Sequence, residues 1–507
     1  MNKRIYFFSF SNRGFEGQII NVECDIRNGF PGFDIIGLPD TAIKESRERV
    51  KAALRKSGFK FPQQRVLVSL SPASVPKTGS LLDLSIALSI LFATQKDSEG
   101  DVLKIMAAGE LTLDGTIIND CSTAGAVEAA KRIGCNLCLV PIEVKDNPGV
   151  FEVHNLTEAF LRCGEFINSK SQTLKISKKA IMHDSVFNDV IGMQREKEIL
   201  TMAASGFHSI LLFGPPGVGK TLLCSKYSKL LPKLSEEETD EVKRIYSCAG
   251  LEINNPSTPV SRTIAHDCTP VQFSSGSEKS KPGCGALCHR GVLILDEITG
   301  YSSSLLESVK TGYDNGKTIS TRSGEDIVYP ARFVMAANMN PCKCGGLGSN
   351  STACVCTSQK IENHWKKIGR PLMERFDVRM PIPEYDITKM LSQQNKPDTY
   401  YIDKAAVSFD RQRARYSKTQ FDMKYNGELH YYPQNLSVLK KEVEMFTQLQ
   451  ADGASYENAR FMIGTVALAR TIADYDDRED VNEEDFARAA ELRRYGNGDY
   501  YWKVIGR

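Results

Sequence analysis

No uninterrupted apolar run in the 507 residues approaches the roughly 18 that a membrane-crossing helix needs, although apolar residues make up 41% of the chain. A helical membrane protein is therefore excluded, and no membrane partner is expected. An export signal is missing as well: Lys3 and Arg4 are followed only by a short aromatic run up to Phe10, too brief for the apolar core of a signal peptide. A cytoplasmic protein is expected. Charge of one sign is also scarce, since 64 Lys and Arg against 62 Asp and Glu leave a formal net charge of +2. A nucleic-acid partner would have to meet local basic patches rather than a globally basic surface. Neither a solenoid-period repeat nor a low-complexity tract interrupts the chain. Fourteen cysteines without an export signal point to reduced thiols or metal ligands rather than a disulfide framework.

Length and pattern allow about three domains. In residues 1–164, Ile20, Val22, Cys24 and Ile26 alternate with polar residues as in a half-buried strand. Val66 to Leu70 reads as a buried strand, Leu81 to Phe92 as an apolar helix, and Ala126 to Arg132 as a helix leading into the strand Leu137 to Val140. This block is α+β. Residues 165–184 are rich in Ser and Lys and read as a linker. Residues 185–384 contain three strand-like runs, Ile210 to Phe213, Val292 to Leu295 and Phe333 to Ala337, each ending in a polar or glycine-rich turn. That is the pattern of an α/β fold whose parallel sheet holds its ligand at the carboxyl ends of the strands. Residues 385–507 are helical and charged, with Phe461 to Ala473 the most apolar helix.

Gly214-Pro215-Pro216-Gly217-Val218-Gly219-Lys220-Thr221 is a complete phosphate-loop pattern between a strand and the helix Thr221 to Leu231. Its glycines let backbone N–H groups crowd around phosphates, Lys220 reaches the terminal phosphates, and Thr221 can ligate magnesium. ATP and Mg2+ are the expected cofactors. The strand Val292 to Leu295 delivers two carboxylates: Asp296 to hold magnesium and Glu297 to polarise the attacking water. After the next strand, Asn338 and Asn340 offer an asparagine that senses the γ-phosphate or caps a turn. Cys342, Cys344, Cys354 and Cys356 form two CxC pairs around a glycine-rich loop, either a structural zinc site or free thiols, with Cys284 and Cys288 as competing ligands. Arg411, Arg413, Arg415, Lys418 and Lys424 interleave with Tyr416, Phe421 and Tyr425, which suits either phosphate contact with base stacking or a solvated helix face.

These motifs resemble the ComM/YifB family of magnesium-chelatase-like AAA+ ATPases. The resemblance extends through Gly32-Phe33-Asp34-Ile35-Ile36-Gly37-Leu38-Pro39-Asp40, Lys77-Thr78-Gly79-Ser80 with Asp83-Leu84, Tyr329-Pro330-Ala331-Arg332-Phe333, Asn340-Pro341-Cys342 and Arg375-Phe376-Asp377. It implies a multidomain α/β protein: a Lon-protease-like (ribosomal S5 domain 2-like) first domain, a P-loop AAA+ core and a helical lid. It further implies that Asn340 is the sensor asparagine, Arg375 a finger supplied to a neighbour's nucleotide, Arg460 the lid sensor, and the working form a homohexameric ring. DNA, branched or single-stranded, is the implied cargo of a recombination or transformation motor. A protein partner, as for a chelatase motor or an unfoldase, is the rival. Two departures are Ala265-His266-Asp267-Cys268, where the family has paired histidines, and Cys284, where it has Glu. The Lon-like resemblance raises a protease reading with Ser80 as nucleophile. Ala124 stands where the partner lysine would be, so a non-proteolytic domain is expected, with Ser80 as a helix cap.

Overall fold

The computed structural model describes residues 4–11, 18–37, 41–72, 81–93, 102–118, 123–142, 149–168, 186–251, 253, 255–275, 281–322, 325–385, 396–417, 419, 423–451 and 459–496. The chain divides into two compact units, Met1–Met182 with Asp240–Asn254, and His183–Thr239 with Asn255–Arg507. Among the described residues no helix is long and apolar enough to cross a membrane.

The first unit runs β1 (Arg4–Ser11), β2 (Gln18–Arg27), β3 (Gly32–Ile36), α1 (Thr41–Lys56), β4 (Arg65–Ser71), α2 (Asp83–Phe92), β5 (Val102–Ala107), β6 (Glu110–Leu111), β7 (Ile117–Ile118), α3 (Thr123–Arg132), β8 (Leu137–Val140), β9 (Val150–Glu152) and α4 (Leu156–Asn168). Seven strands form a mixed sheet in the order β3-β4-β2-β1-β5-β8-β9, and β6 pairs with β7. The alternation in β2 turns Ile20 and Val22 into the core and leaves Glu23 and Asp25 exposed. Nine of the ten residues of α2 are buried, as an all-round apolar helix requires. Its Ser85 and Ser89 hydroxyls are satisfied locally, each donating to a carbonyl one turn back at 2.8 Å. Asp83 at its start is wholly buried and receives Arg49 Nε at 2.9 Å and the Leu111 N–H at 3.3 Å. Burial pushes the Asp83 carboxyl above its ordinary range even with that guanidinium beside it. Lys77 to Ser80, Cys121 and Ser122 lie outside the described residues, as does most of the expected linker.

The second unit continues with α5 (Gln194–Ser205), β10 (Ile210–Phe213), α6 (Lys220–Leu230), α7 (Glu236–Ala249), β11 (Ser261–Thr263), α8 (Pro270–Ser274), β12 (Val292–Leu295), α9 (Ser303–Asn315), β13 (Lys317–Arg322), β14 (Glu325–Pro330), β15 (Val334–Met339), α10 (Ser358–Lys366), α11 (Arg370–Met373), β16 (Val378–Pro381), α12 (Asp398–Tyr416), α13 (Lys440–Ala451), α14 (Ala459–Tyr475) and α15 (Glu483–Arg493). Residues 240–249 of α7 group with the first unit. Five strands make an all-parallel sheet in the order β11-β12-β15-β10-β16, and β13 pairs with β14 as a hairpin. The three strands expected from sequence are its centre, and β11 and β16 extend it at either edge.

Both sheet faces are covered, which is why the central strands read as continuous apolar runs. Ile210, Leu212, Ile294 and Ala336 share one core with α5, α6 and the C-terminal helices. Leu211, Phe213, Leu295 and Ala337 share the other with α9 and α10. Replacing Arg49 with Met would leave the buried Asp83 carboxylate unpaired, an expected loss of about 3 kcal/mol. A urea titration followed by circular dichroism should show the midpoint for the first unit fall; an unchanged midpoint would mean the pair adds nothing.

Candidate nucleotide site

The parallel arrangement brings the carboxyl ends of β10, β12 and β15 to one edge, where all three polar turns emerge. At the end of β10 the chain must pass tight against its neighbour: a Cβ on Gly214 would meet Ile382 O at 2.1 Å. Gly217 and Gly219 take φ of +81° and +89°, conformations that favour glycine. Lys220 then opens α6. Its Nζ donates to Gly214 O and Pro215 O at 2.7 Å and to Asn340 Oδ1 at 3.1 Å. Burial lowers its pKa, opposed by Glu297 and Asp296.

Thr221 and Asp296, the pair expected to hold magnesium, meet across elements. Thr221 Oγ1 donates to Asp296 Oδ1 at 3.0 Å, which places a hydroxyl and a carboxylate where one magnesium ion could take both. Asn338 Nδ2 donates to the same carboxylate oxygen at 2.5 Å, and Asn338 Oδ1 accepts the Glu297 N–H at 3.0 Å. That second bond holds Glu297 in a left-handed conformation, φ +46° and ψ +63°. A non-glycine residue there costs of order 1–3 kcal/mol and marks a functional position when its surroundings enforce it. Glu297 Oε2 accepts from Asn340 Nδ2 at 3.1 Å and Oε1 from Thr299 Oγ1 at 3.1 Å. Asn340 is thereby placed between the Glu297 carboxylate and the Lys220 ammonium. Behind it, His364 Nε2 lies 3.0 Å from Asn340 O.

Arg375 and Arg460 come together elsewhere in this unit. Arg375 makes a two-point contact with Asp314 at 2.9 and 2.7 Å, and Arg460 reaches Asp314 Oδ1 at 3.2 Å. They line a cavity of about 200 Å³ with Tyr313, Asp377 and His430. Among the described residues, no hydrogen bond or ion pair joins either arginine to Lys220, Asp296 or Glu297. The four sulfurs of Cys342, Cys344, Cys354 and Cys356 lie within 4.8 Å of one another. Cys284 and Cys288 are not part of that cluster. Burial pushes the Cys342 thiol up to about 12, whereas the Gly346 N–H helps draw the exposed Cys344 down to about 6.

The basic run of α12 is taken up internally. Arg411 pairs with Asp477 at 2.9 Å, Arg413 donates to Tyr425 OH at 2.9 Å, and Arg415 grips the buried Asp474 at 2.8 and 2.6 Å. Lys424 pairs with Glu238 at 2.9 Å, while Lys418 and Phe421 lie outside the described residues. The sequence offers phosphate contact or a solvated helix face for this run; the described arginines make their ion pairs and hydrogen bonds within this unit. At the departure from the paired histidines, the His266 ring packs on Tyr301 at 4.4 Å. Sequence reasoning gave no separate role to Asn338, Thr299, Asp314 or His364. Only Asn338 left a signal, sitting near the end of β15, two residues before Asn340.

Two family models match the chain: "Magnesium chelatase, subunit ChlI" over residues 186–390 and "Subunit ChlI of Mg-chelatase" over residues 22–144. An uncharacterized protein of Mycobacterium tuberculosis is 34% identical over 386 residues, 74% of this chain and 76% of its own. The competence protein ComM of Haemophilus influenzae is 28% identical over 506 residues, 96% of each chain. The magnesium-chelatase 38 kDa subunit of Cereibacter sphaeroides is 24% identical over 174 residues, 31% of this chain and 52% of its own.

Glu297→Gln should bind ATP while lowering turnover by about 10²- to 10³-fold. Asn338→Ala should raise the magnesium concentration needed for half-maximal turnover. Steady-state hydrolysis across a magnesium titration, beside binding of a fluorescent ATP analogue, measures both; near-normal turnover in Glu297→Gln would remove that residue from the chemistry.

Proposed function

This chain belongs to the ComM/YifB family of magnesium-chelatase-like proteins, and we propose that it is a magnesium-dependent ATPase motor that translocates DNA and moves branched junctions. The observation that carries the ATPase reading is the set Thr221, Asp296, Asn338 and Glu297, linked by hydrogen bonds at the mouth of the phosphate loop. In this reading the N–H groups of Gly214 to Thr221 cradle the phosphates and Lys220 turns from the loop carbonyls to the terminal phosphate. Thr221 and Asp296 hold Mg2+, which neutralises developing charge. Glu297 orients the attacking water, and Asn340 links that carboxylate to the phosphate. Cys342, Cys344, Cys354 and Cys356 hold zinc.

Arg375, with Arg460 beside it, acts on the nucleotide of a neighbouring subunit in a homohexameric ring. Their joint contact with Asp314, apart from this chain's own Lys220, supports that role. Asp314 keeps the two cations paired until a neighbour's phosphates compete for them. The likeness to a competence protein along 96% of both chains supports DNA as cargo. Arg411, Arg413 and Arg415 make their described contacts within this unit, and this favours keeping protein remodelling as the second reading. The first unit serves as a non-proteolytic attachment, and the cytoplasm is the proposed compartment.

ATP hydrolysis measured with no polymer, single-stranded DNA, a four-way junction or an unfolded protein tests the cargo. The junction should stimulate most, whereas stimulation by polypeptide alone would transfer the function to protein remodelling. Arg375→Ala should lower turnover by about 10³-fold or more while keeping ATP affinity. Mixing it with Lys220→Ala subunits should restore partial turnover, since each variant supplies what its neighbour lacks; no recovery in mixed rings would refute action across the interface.

A further inference from the structure

The cysteine loop is built against the nucleotide site on two sides. Cys342 stands two residues after Asn340 in the turn that leaves β15. Its sulfur lies 3.4 Å from that of Cys344 and 3.7 Å from that of Cys354, and Cys344 and Cys354 are 3.7 Å apart. Four thiolates about 2.3 Å from one zinc ion stand about 3.8 Å from each other, whereas a disulfide draws two sulfurs to about 2.05 Å. The spacing therefore fits a tetrahedral metal site. Backbone N–H groups also point at the sulfurs: Leu347 at Cys342, Gly346 and Val355 at Cys344, and Cys356 at Cys354. Donors of this kind stabilise the thiolate charge and orient the ligands of a metal.

The loop touches the catalytic machinery through backbone. Gly345, at φ +77°, lies against the phosphate loop, where a Cβ would come within 3.2 Å of Pro216 Cδ. On the other side Pro341 O accepts from Trp365 Nε1 at 2.9 Å, next to the His364 contact with Asn340 O. The segment Asn340-Pro341-Cys342 is thus pinned by α10 and by the sulfur cluster. Glu384 anchors the far end of the loop, accepting from Ser349 Oγ at 2.9 Å and the Asn350 N–H at 2.6 Å.

We propose that zinc held by Cys342, Cys344, Cys354 and Cys356 is a strut for the phosphate loop and Asn340, so that losing the metal weakens nucleotide binding and arrests ATP hydrolysis while the parallel sheet stays folded. This rests on the ATPase reading above and adds a means of control to the same site. Without the ion, four thiols have no common centre, Gly345 can leave Pro216, and the segment Asn340-Pro341-Cys342 keeps only its contacts with α10 and Glu297.

The test uses the full chain purified in reductant. Elemental mass spectrometry should find one zinc per chain, lost in the Cys344→Ser/Cys354→Ser double variant. Removing the metal from wild type with a chelator should weaken binding of a fluorescent ATP analogue and lower turnover by about 10- to 100-fold, with the circular dichroism spectrum unchanged. Adding back zinc alone should restore both. Absence of zinc, or metal-free protein with undiminished analogue binding and turnover, would overturn the proposal. If metal removal unfolds the chain, Gly345→Ala keeps all four thiols and presses a Cβ toward Pro216. That variant should retain zinc yet bind the analogue more weakly, and unaltered binding would again overturn the strut. Zinc-loaded wild type with no turnover that Glu297→Gln abolishes would instead refute the ATPase reading, and the metal-dependent analogue binding would still decide the strut.

Discussion

β15 pairs with β10 on one side and β12 on the other, setting Leu212 opposite Asn338 and Leu295 opposite Ala337. Because side chains alternate along a strand, a slip of one residue would turn Met339 to the side now held by Asn338 and Asn340. The apolar residues prevent it. Ala337 and Met339 belong to the core on one face of the sheet and Ala336 to the core on the other, so a slipped register would exchange the residues that each core receives and carry the buried Asn338 away from Asp296. Hydrophobic packing within the sheet thereby fixes where polar groups stand at its edge. Asn338 can grip Asp296 and the Glu297 backbone at once only because both neighbouring strands are held at this depth.

The site also stores its charges in pairs. Lys220 rests on two carbonyls of its own loop and on Asn340. Arg375 and Arg460 share Asp314. An anionic phosphate competes better for Lys220 than the neutral carbonyls that hold it, whereas Arg375 and Arg460 are already paired with a carboxylate.

The legible parts of the sequence were those in which local pattern and local chemistry coincide. Ile210 to Phe213 and Val292 to Leu295 are four-residue apolar runs that end in a glycine loop and a carboxylate pair, and both are strands with those bounds. β11 has no apolar run, only Ser261–Thr263, and is a strand because β12 offers it an edge. β16 hides behind Arg379, a wholly buried guanidinium whose Nη1 donates to the carbonyls of Arg493 and Tyr495 at 2.7 Å. The internal partners of the basic run of α12 were illegible for the same reason: those of Arg415 and Arg411 stand 59 and 66 residues further along. Which residues join Asp314, or stand beside Asn340, is likewise decided by tertiary folding and leaves no local trace.

The helices after β16 do not form a lid resting on a finished domain. Tyr401, Tyr416, Phe446, Leu468, Ile472 and Phe486 lie in the same core as Ile210, Leu212 and Ala336, and His208 beside β10 joins Asp377 and Thr471 at 2.9 and 2.8 Å. A recombinant fragment ending near residue 385 would lay bare the part of that core which α12 to α15 cover and strand a buried imidazole, which makes it a candidate for inclusion bodies rather than for a minimal motor. The smallest piece of this protein worth expressing alone therefore runs from about His183 past Tyr495, whose carbonyl the buried Arg379 needs.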